Sequence, residues 1–490
     1  MTKRHQALTD YRIWQRFLSP FHSAALLGHD QQVLAIKYSS LIDIATLPEA
    51  AQTAQKYLNP KDGDIVLLND PFSGGTSLSH LTFIAGINFK KRGQGGADHL
   101  LAVRIPLKPR LGQFQSIEDE GLRIPPTPII VDGELNTALF DILAVHPMAP
   151  MNIRMIVERN CQMIRDHIEQ LRAQILDKGI YSVEREKLLL EESGKVIAKA
   201  VEEFPVGRTQ NKYPLEDGSV ISMETRHHHN RFEFDFSGTT KSDCFSLTDH
   251  ATLSVCLGAT LAYMEKELPL TSRIFDFFDV TAPADSLVNA SYPTPLHYGM
   301  TDGFALLANA VTLQLEAINP ESQVAASGVS QCAFDIQFED GPHFYETLAA
   351  GSGATLMSPG VPGLNIWQRS SLRPSVELIE GMYPLKVKSF SIRPNSGGAG
   401  DRAGGDGTMK SFEVLQSGKL RWMLSQTEHR PQGKAGGRDA QPAELYLRTA
   451  DQKIKLSGSG YQDVQPGDVL IIHSPGGGGF GRPETDRDNF

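Results

Sequence analysis

Polar groups able to do chemistry concentrate in one stretch, Asn69-Asp70-Pro71-Phe72-Ser73-Gly74-Gly75-Thr76-Ser77-Leu78-Ser79-His80. It brings an aspartate, several hydroxyls and a histidine into a single turn. Carboxylate and imidazole suit proton transfer, and hydroxyls donate to or accept from a polar ligand. Gly74-Gly75 lets the backbone take φ > 0 or approach a ligand closely. An ordinary polar turn of the same composition is the plainer alternative. A second stretch, Glu118-Asp119-Glu120, has the charge to hold a cation, though such a run is more often a solvated turn. His227-His228-His229 invites a metal reading, but neighbours on a strand face opposite ways, so at most His227 and His229 converge. No G-x-x-x-x-G-K-[ST] occurs, and no G-x-G-x-x-G opens a helix after a strand, so no nucleotide-binding motif is present.

The elements that must position these groups are legible from periodicity. Ile65-Val66-Leu67-Leu68, after the turn Asp62-Gly63-Asp64, reads as a buried strand that delivers the polar turn. Pro71 ends it, because proline supplies no N–H and biases Asp70 away from helix. Helical spacing covers residues 6–24 and Leu47 to Leu58. Strands are expected at Gln32 to Ile36, Leu81 to Phe89 and His99 to Ile105. Residues 149–204 carry the longest helical pattern, broken at Lys178-Gly179 and read as an antiparallel pair. Asp217-Gly218 marks a hairpin, and Phe232, Phe234 and Phe236 alternate along a strand. Ser237 and Thr239 are expected to cap the following helix or bind a ligand. Apolar helices follow at Ala251 to Leu268 and Ala305 to Ala317. From about residue 329 the chain reads as mostly β. The fold class expected is α+β: a mixed N-terminal region over 1–145, a helical middle segment over 146–206, an α+β part over 207–385 and a β-rich, Gly-rich C-terminal part over 386–490.

Composition narrows the function. The 490 residues are 40% hydrophobic and 21% charged, the balance of a soluble globular protein. Net charge is −10, with no basic stripe to replace counterions on a nucleic acid. No apolar run reaches the roughly 18 residues of a membrane span. The first residues show no signal-peptide pattern, and the four cysteines are scattered without a C-x-x-C pair. A cytoplasmic location is therefore expected, with no membrane or nucleic-acid partner.

Asn-Asp-Pro-aromatic-x-Gly-Gly-Thr is similar to a signature of the hydantoinase B/oxoprolinase family. These are the B-type subunits of ATP-dependent hydantoinases, 5-oxoprolinases and acetone- or acetophenone-type carboxylases. Further segments carry the resemblance: Glu120-Gly121-Leu122-Arg123-Ile124-Pro125-Pro126, Asp235-Phe236-Ser237-Gly238-Thr239 and Ser375 to Pro384. Arg393-Pro394-Asn395-Ser396-Gly397-Gly398 resembles the family's Arg-Pro-Asp-Ser-Gly-Gly, with Asn395 replacing Asp. Gly476 to Gly481 matches its terminal glycine cluster. So many glycines imply tight turns and close backbone packing.

The resemblance implies a division of labour. An ATP-binding A-type partner activates a small amide, lactam, imide or enolisable ketone. The B-type subunit completes hydrolysis or carboxylation within a hetero-oligomer. Typical members hold Zn, Mn or Fe through a His and an Asp after the Gly-Gly-Thr and a later His-His pair. Here those positions carry Ser77, His80 and Pro106-Leu107, and the upstream His-x-Pro-x-His is replaced around Ser39 to Thr46. No metal is therefore expected in this chain. His80 is then the candidate general base, with Asp70, Ser77 and Arg104 as further catalytic candidates. Asn69, Gly74, Gly75, Thr76 and Glu120 are the candidate substrate-binding residues. Two alternatives stay open: a non-catalytic B-like scaffold, and a stand-alone hydrolase using Ser77 and His80, for which no orienting carboxylate is identified.

Overall fold

The computed structural model describes residues 3–89, 96–109, 111–150, 152–178, 182–228, 230–339, 341–367, 374–456 and 458–484. His229 and Gly179, singled out above, lie outside these residues.

The N-terminal region is built on a seven-stranded sheet. Its strands are β1 (Ser23–Leu27), β2 (Val33–Lys37), β3 (Ile65–Leu68), β4 (His80–Ile87), β5 (His99–Pro106), β6 (Thr127–Val131) and β7 (Glu134–Leu135). The order is β2-β1-β5-β4-β3-β6-β7, antiparallel throughout. The strands read as unbroken apolar runs because both faces are covered. Val66, Leu68, Ile84 and Ala102 pack toward α2 (Asp43–Leu58), with Ile44, Leu47 and Ala51. Ile65, Leu67, Phe83 and Val103 point the other way, to Trp14 and Phe17 of α1 (Lys3–Leu18) and Val157 and Ile164 of α5 (Ile153–Lys178). A one-residue alternation thus feeds two cores.

Two short helices follow β5 and β7, α3 (Ile117–Glu120) and α4 (Thr137–Ala144). The helical middle segment is α5 and α6 (Val183–Glu202), the latter capped by the Ser182 hydroxyl, which accepts from the Arg185 N–H at 3.2 Å. The expected antiparallel pairing is replaced by another arrangement. α6 lies along α1, and α5 lies against β4 and α4. The apolar stripe of α5 therefore buries against the N-terminal region, and that of α6 is shared between α1 and the Ser272–Phe277 turn of the middle region.

A second sheet, β11-β10-β9-β8, joins β8 (Gly207–Pro214), β9 (Val220–His228), β10 (Arg231–Asp235) and β11 (Phe278–Thr281). Gly218, at φ +81°, makes the expected β8–β9 turn. Helices α7 (Asp249–Met264) and α8 (Phe304–Ile318) pack on each other, and α7 also meets α2. A side chain at Gly258 would sit 2.8 Å from Leu41, so this glycine sets the approach of α7 to α2. Thr248, not Ser237 or Thr239, caps α7. The Thr239 hydroxyl instead exchanges hydrogen bonds with the Ser222 backbone, sealing the first turn of β9.

The C-terminal part is a β-sandwich. One sheet, β13-β12-β16-β19, holds β12 (Ala333–Phe338), β13 (His343–Glu346), β16 (Gly418–Met423) and β19 (Ser459–Val464). The other runs β14-β15-β20-β17-β18, from β14 (Leu385–Ile392), β15 (Thr408–Val414), β17 (Glu444–Arg448), β18 (Lys453–Leu456) and β20 (Val469–His473). Phe334, Phe344, Phe412, Leu420 and Leu470 fill the space between. Pattern reading missed α9 (Val376–Met382), a short helix capped by Ser375. The clustered glycines let loops cross at backbone contact: a side chain at Gly404 would lie 1.9 Å from the Gly477 carbonyl oxygen.

Candidate active site

β3 delivers the polar turn as its pattern predicts. Asp70 caps the short turn Pro71–Ser73, accepting from the Phe72 N–H at 3.1 Å and the Ser73 hydroxyl at 3.1 Å. Arg123 lies 3.6 Å from the same carboxylate and stacks over Tyr292. Asp70 is thus spent on its own turn. Asn69 is spent likewise, donating to the Leu78 and Leu122 carbonyls and accepting from the Ile124 N–H at 2.6 Å. It staples the polar turn to the Gly121–Pro125 segment, joining the first two motifs. Gly74 adopts φ +88°, and a side chain there would lie 2.3 Å from the Ala50 N of α2. A side chain at Gly75 would meet the Asn69 carbonyl at 2.3 Å, and the Gly75 N–H already donates to the Asp70 carbonyl. Both glycines serve close packing of the turn.

Arg104 is 1% exposed. Its guanidinium uses four of its five N–H donors inside the protein. They go to Thr82 Oγ1 (2.9 Å), Asp43 Oδ1 (2.8 Å), Thr46 Oγ1 (2.7 Å) and the Gly74 carbonyl (2.6 Å). Ser23 donates to the other oxygen of Asp43 at 2.7 Å. Arg104 therefore locks β5, α2 and the turn together. Burial pulls its pKa down, and Asp43 holds it up.

Ser77 and His80 are brought together. The Ser77 hydroxyl lies 2.9 Å from His80 Nδ1 and 2.9 Å from the Ser79 hydroxyl. With Ser77 donating to Nδ1, the remaining ring proton sits on Nε2. Burial lowers the pKa of His80 to about 4, and the Arg104 charge pushes the same way against Asp43. The ring is neutral at pH 7. Thr76 is fully buried, and its hydroxyl oxygen has no partner among the described residues.

The acidic run separates into three roles. Glu118 pairs with Arg123 at 3.1 Å. Asp119 accepts from the Gln115 and Ser116 N–H groups at 2.9 Å and caps α3. Glu120 turns inward. Its Oε1 accepts from the Leu296 and His297 N–H groups (2.5 and 2.8 Å), and its Oε2 is buried without a partner among the described residues. Burial raises its pKa to about 8, so it is mostly protonated at neutral pH.

His297 and Tyr298 were missed from sequence. They sit between Pro295 and a π-helical turn (Gly299–Gly303), and a proline-rich loop was the only signal. His297 is 4% exposed, with no partner for Nε2 among the described residues. Burial lowers its pKa to about 4, and His80 is close enough to push it down further. Glu120, His297, His80 and Ser77 thus form one connected polar group at the junction of the N-terminal sheet and the middle region. Of these four, His297 lines a cavity of about 380 Å³, together with Phe114 and Tyr298.

His227 and His228 are structural. The His227 ring is buried against Phe204 and Phe232 and donates to the Pro205 carbonyl at 3.0 Å, while His228 pairs with Glu233. Among the described residues, no three His, Cys, Asp or Glu side chains gather as a metal site. Ser77 and His80 bond each other, Pro106 faces His80 across β4–β5, and Asp70 is held by its turn. This donor set does not fit the divalent metal that the resemblance implies.

Comparison with known proteins agrees with the motifs. The profile of the family described as hydantoinase B/oxoprolinase matches residues 110–483. The chain is 25% identical over 486 residues to the uncharacterised protein MJ0963 of Methanocaldococcus jannaschii, covering 94% of this chain and 84% of that one. It is 25% identical to the 5-oxoprolinase of Dictyostelium discoideum, covering 94% of this chain but 38% of that enzyme. The chain thus spans little more than a third of such 5-oxoprolinases. The crystal structure of ATP-dependent caprolactamase from Pseudomonas jessenii superposes with a TM-score of 0.83 at 20% identity, covering 99% of this chain and 91% of that one. With the profile covering most of its length, the chain belongs to the hydantoinase B/oxoprolinase family.

Proposed function

We propose that the chain is the B-type subunit of an ATP-dependent amide hydrolase, acting on a cyclic amide or related small molecule activated by an ATP-binding A-type partner. The observation that supports this reading is the polar group itself, in a chain of this family. Ser77-bound His80 is near His297, whose backbone N–H donates to the neutral Glu120.

Hydrolysis or carboxylation at a carbonyl develops negative charge on oxygen. Preorganised donors stabilise that charge without reorganising. His80 offers Nε2–H, and protonated Glu120 offers its Oε2 hydroxyl. Both are uncharged in the resting site, so neither is tied up by a counterion. A neutral carboxyl kept as a donor by burial is an established catalytic device. Arg104 and Asn69 hold the turn that presents Ser77 and His80. Asp70, Gly74, Gly75 and Thr76 shape that turn. The same oxyanion chemistry serves a ketone carboxylase, the related reading.

The test is ATP-dependent ring opening, assayed with the A-type partner on hydantoin, 5-oxoproline and caprolactam. His80→Ala is expected to lower kcat about a hundredfold, the usual scale for a lost donor or acid–base group. Unchanged turnover in this variant would replace the catalytic reading by the scaffold one.

A further inference from the structure

The cavity beside His297 carries more chemistry than an oxyanion site needs. Its wall includes Lys241 and Asp243, both exposed, and neither takes part in an ion pair or a side-chain hydrogen bond among the described residues. Opposite charges on one small cavity usually pair with each other. Here they line the same 380 Å³ without meeting. Phe114 and Tyr298 supply an apolar wall, and Phe114 meets His297 edge to face at 5.8 Å. His297, whose buried Nε2 has no partner among the described residues, lines the same cavity.

The loop bearing the two charges is fixed. The Ser242 hydroxyl accepts from the Cys244 and Phe245 N–H groups (3.1 and 2.8 Å) and donates to Asp217. Opposite it, Tyr298 donates to the Gly112 carbonyl at 2.7 Å. Both sides are thus held before any ligand arrives.

We propose that this cavity binds a small zwitterion of the amino-acid type. Its carboxylate pairs with Lys241, its ammonium pairs with Asp243, and its chain lies on Phe114 with His297 as the polar anchor. The field around Cys244 agrees: its thiol is pushed far up by burial and by Asp217, Asp302, Glu216 and Asp243, a negative surround that welcomes an ammonium. Ring opening of a cyclic amide gives an ammonium and a carboxylate on one chain, so the pocket suits the product of the proposed reaction. The binding claim itself rests only on the cavity.

Isothermal titration of the full chain with 5-aminopentanoate, pentylamine and pentanoate tests it, without ATP or turnover, so its failure and that of the hydrolase reading are separable. The zwitterion is expected to bind at least tenfold tighter than either single-charge analogue. Lys241→Met should bring its affinity down to that of the amine, and Asp243→Asn to that of the acid. Both side chains are exposed, and an unchanged melting temperature would confirm intact folding. No saturable binding, equal affinity for all three ligands, or wild-type affinity in both variants would overturn the proposal.

Discussion

At Glu120, burial and two backbone N–H donors act in opposite directions, and burial wins, holding the pKa near 8. A folded-state pKa above the unfolded value near 4.5 favours folding when the group is protonated. That contribution is complete below pH 4.5 and is lost as pH rises through 8. Each pKa unit corresponds to about 1.4 kcal/mol. Glu120→Gln keeps the neutral shape and removes the titration. In denaturant unfolding the variant should match wild type at pH 4 and be more stable by a few kcal/mol at pH 8.5. Equal stability at both pH values would show an ionised Glu120. His297 works the other way. Its pKa of about 4 lies below the unfolded value, so the unfolded chain takes up the proton first as pH falls through 6.5. Stability is lost between pH 6.5 and 4. His297→Gln should flatten this acid limb relative to wild type in thermal scans across that range.

The turn after β3 shows how one element is held from three sides. Arg104 reaches it from β5, Ala50 of α2 blocks any side chain at Gly74, and Asn69 ties it to the Gly121–Pro125 segment. Arg104→Met leaves Asp43 buried without its countercharge. Breaking one side of such a pair costs about 3–5 kcal/mol. Urea unfolding should show a loss on that scale, and the double change Asp43→Asn with Arg104→Met should recover part of it. The strand and the turn were legible, because β-periodicity, Pro71 and Gly-Gly are local signals, whereas Arg104 was read as a catalytic donor. Its structural role was not legible. Its partners lie at Asp43, Thr46, Thr82 and Gly74, and only the fold brings them together. Glu120 stood out from Glu118 only through the family motif it begins, and its burial and raised pKa were not legible. His297 was hidden for the same reason, since burial is set by neighbours distant in sequence. The helical pair failed differently: its periodicity was read correctly, but periodicity names an apolar stripe and not what covers it.

Across the whole molecule, the segment between β5 and α3 connects all the major parts. It leaves the N-terminal sheet at Pro106. Lys108 donates to the His343 carbonyl, and the Leu111 N–H donates to Asp335 of β12 at 3.0 Å. Asp335 is itself held by Arg421 and His343. Gly112 exchanges two hydrogen bonds with the Tyr298 hydroxyl, and the Ile117 N–H reaches the Pro293 carbonyl at 2.9 Å. One segment thus touches the middle region and the C-terminal sandwich, and ends in the helix that carries Glu120. Its order determines where Glu120 and the Phe114 wall sit. Tyr298→Phe removes one hydroxyl and both bonds to Gly112 while keeping the ring. Each net hydrogen bond contributes about 1 kcal/mol, so global stability should fall by no more than about 2 kcal/mol. Local order should suffer more than global stability. Amide hydrogen exchange is expected to quicken over Leu111 to Gln115 and to stay at wild-type rates in β3 and β4. In the assembled enzyme, KM for the amide should rise more than kcat falls, because the wall moves while Ser77 and His80 stay on their own turn. Exchange that is unchanged over Leu111 to Gln115 would show that Asp335 and Pro293 hold the segment without Tyr298.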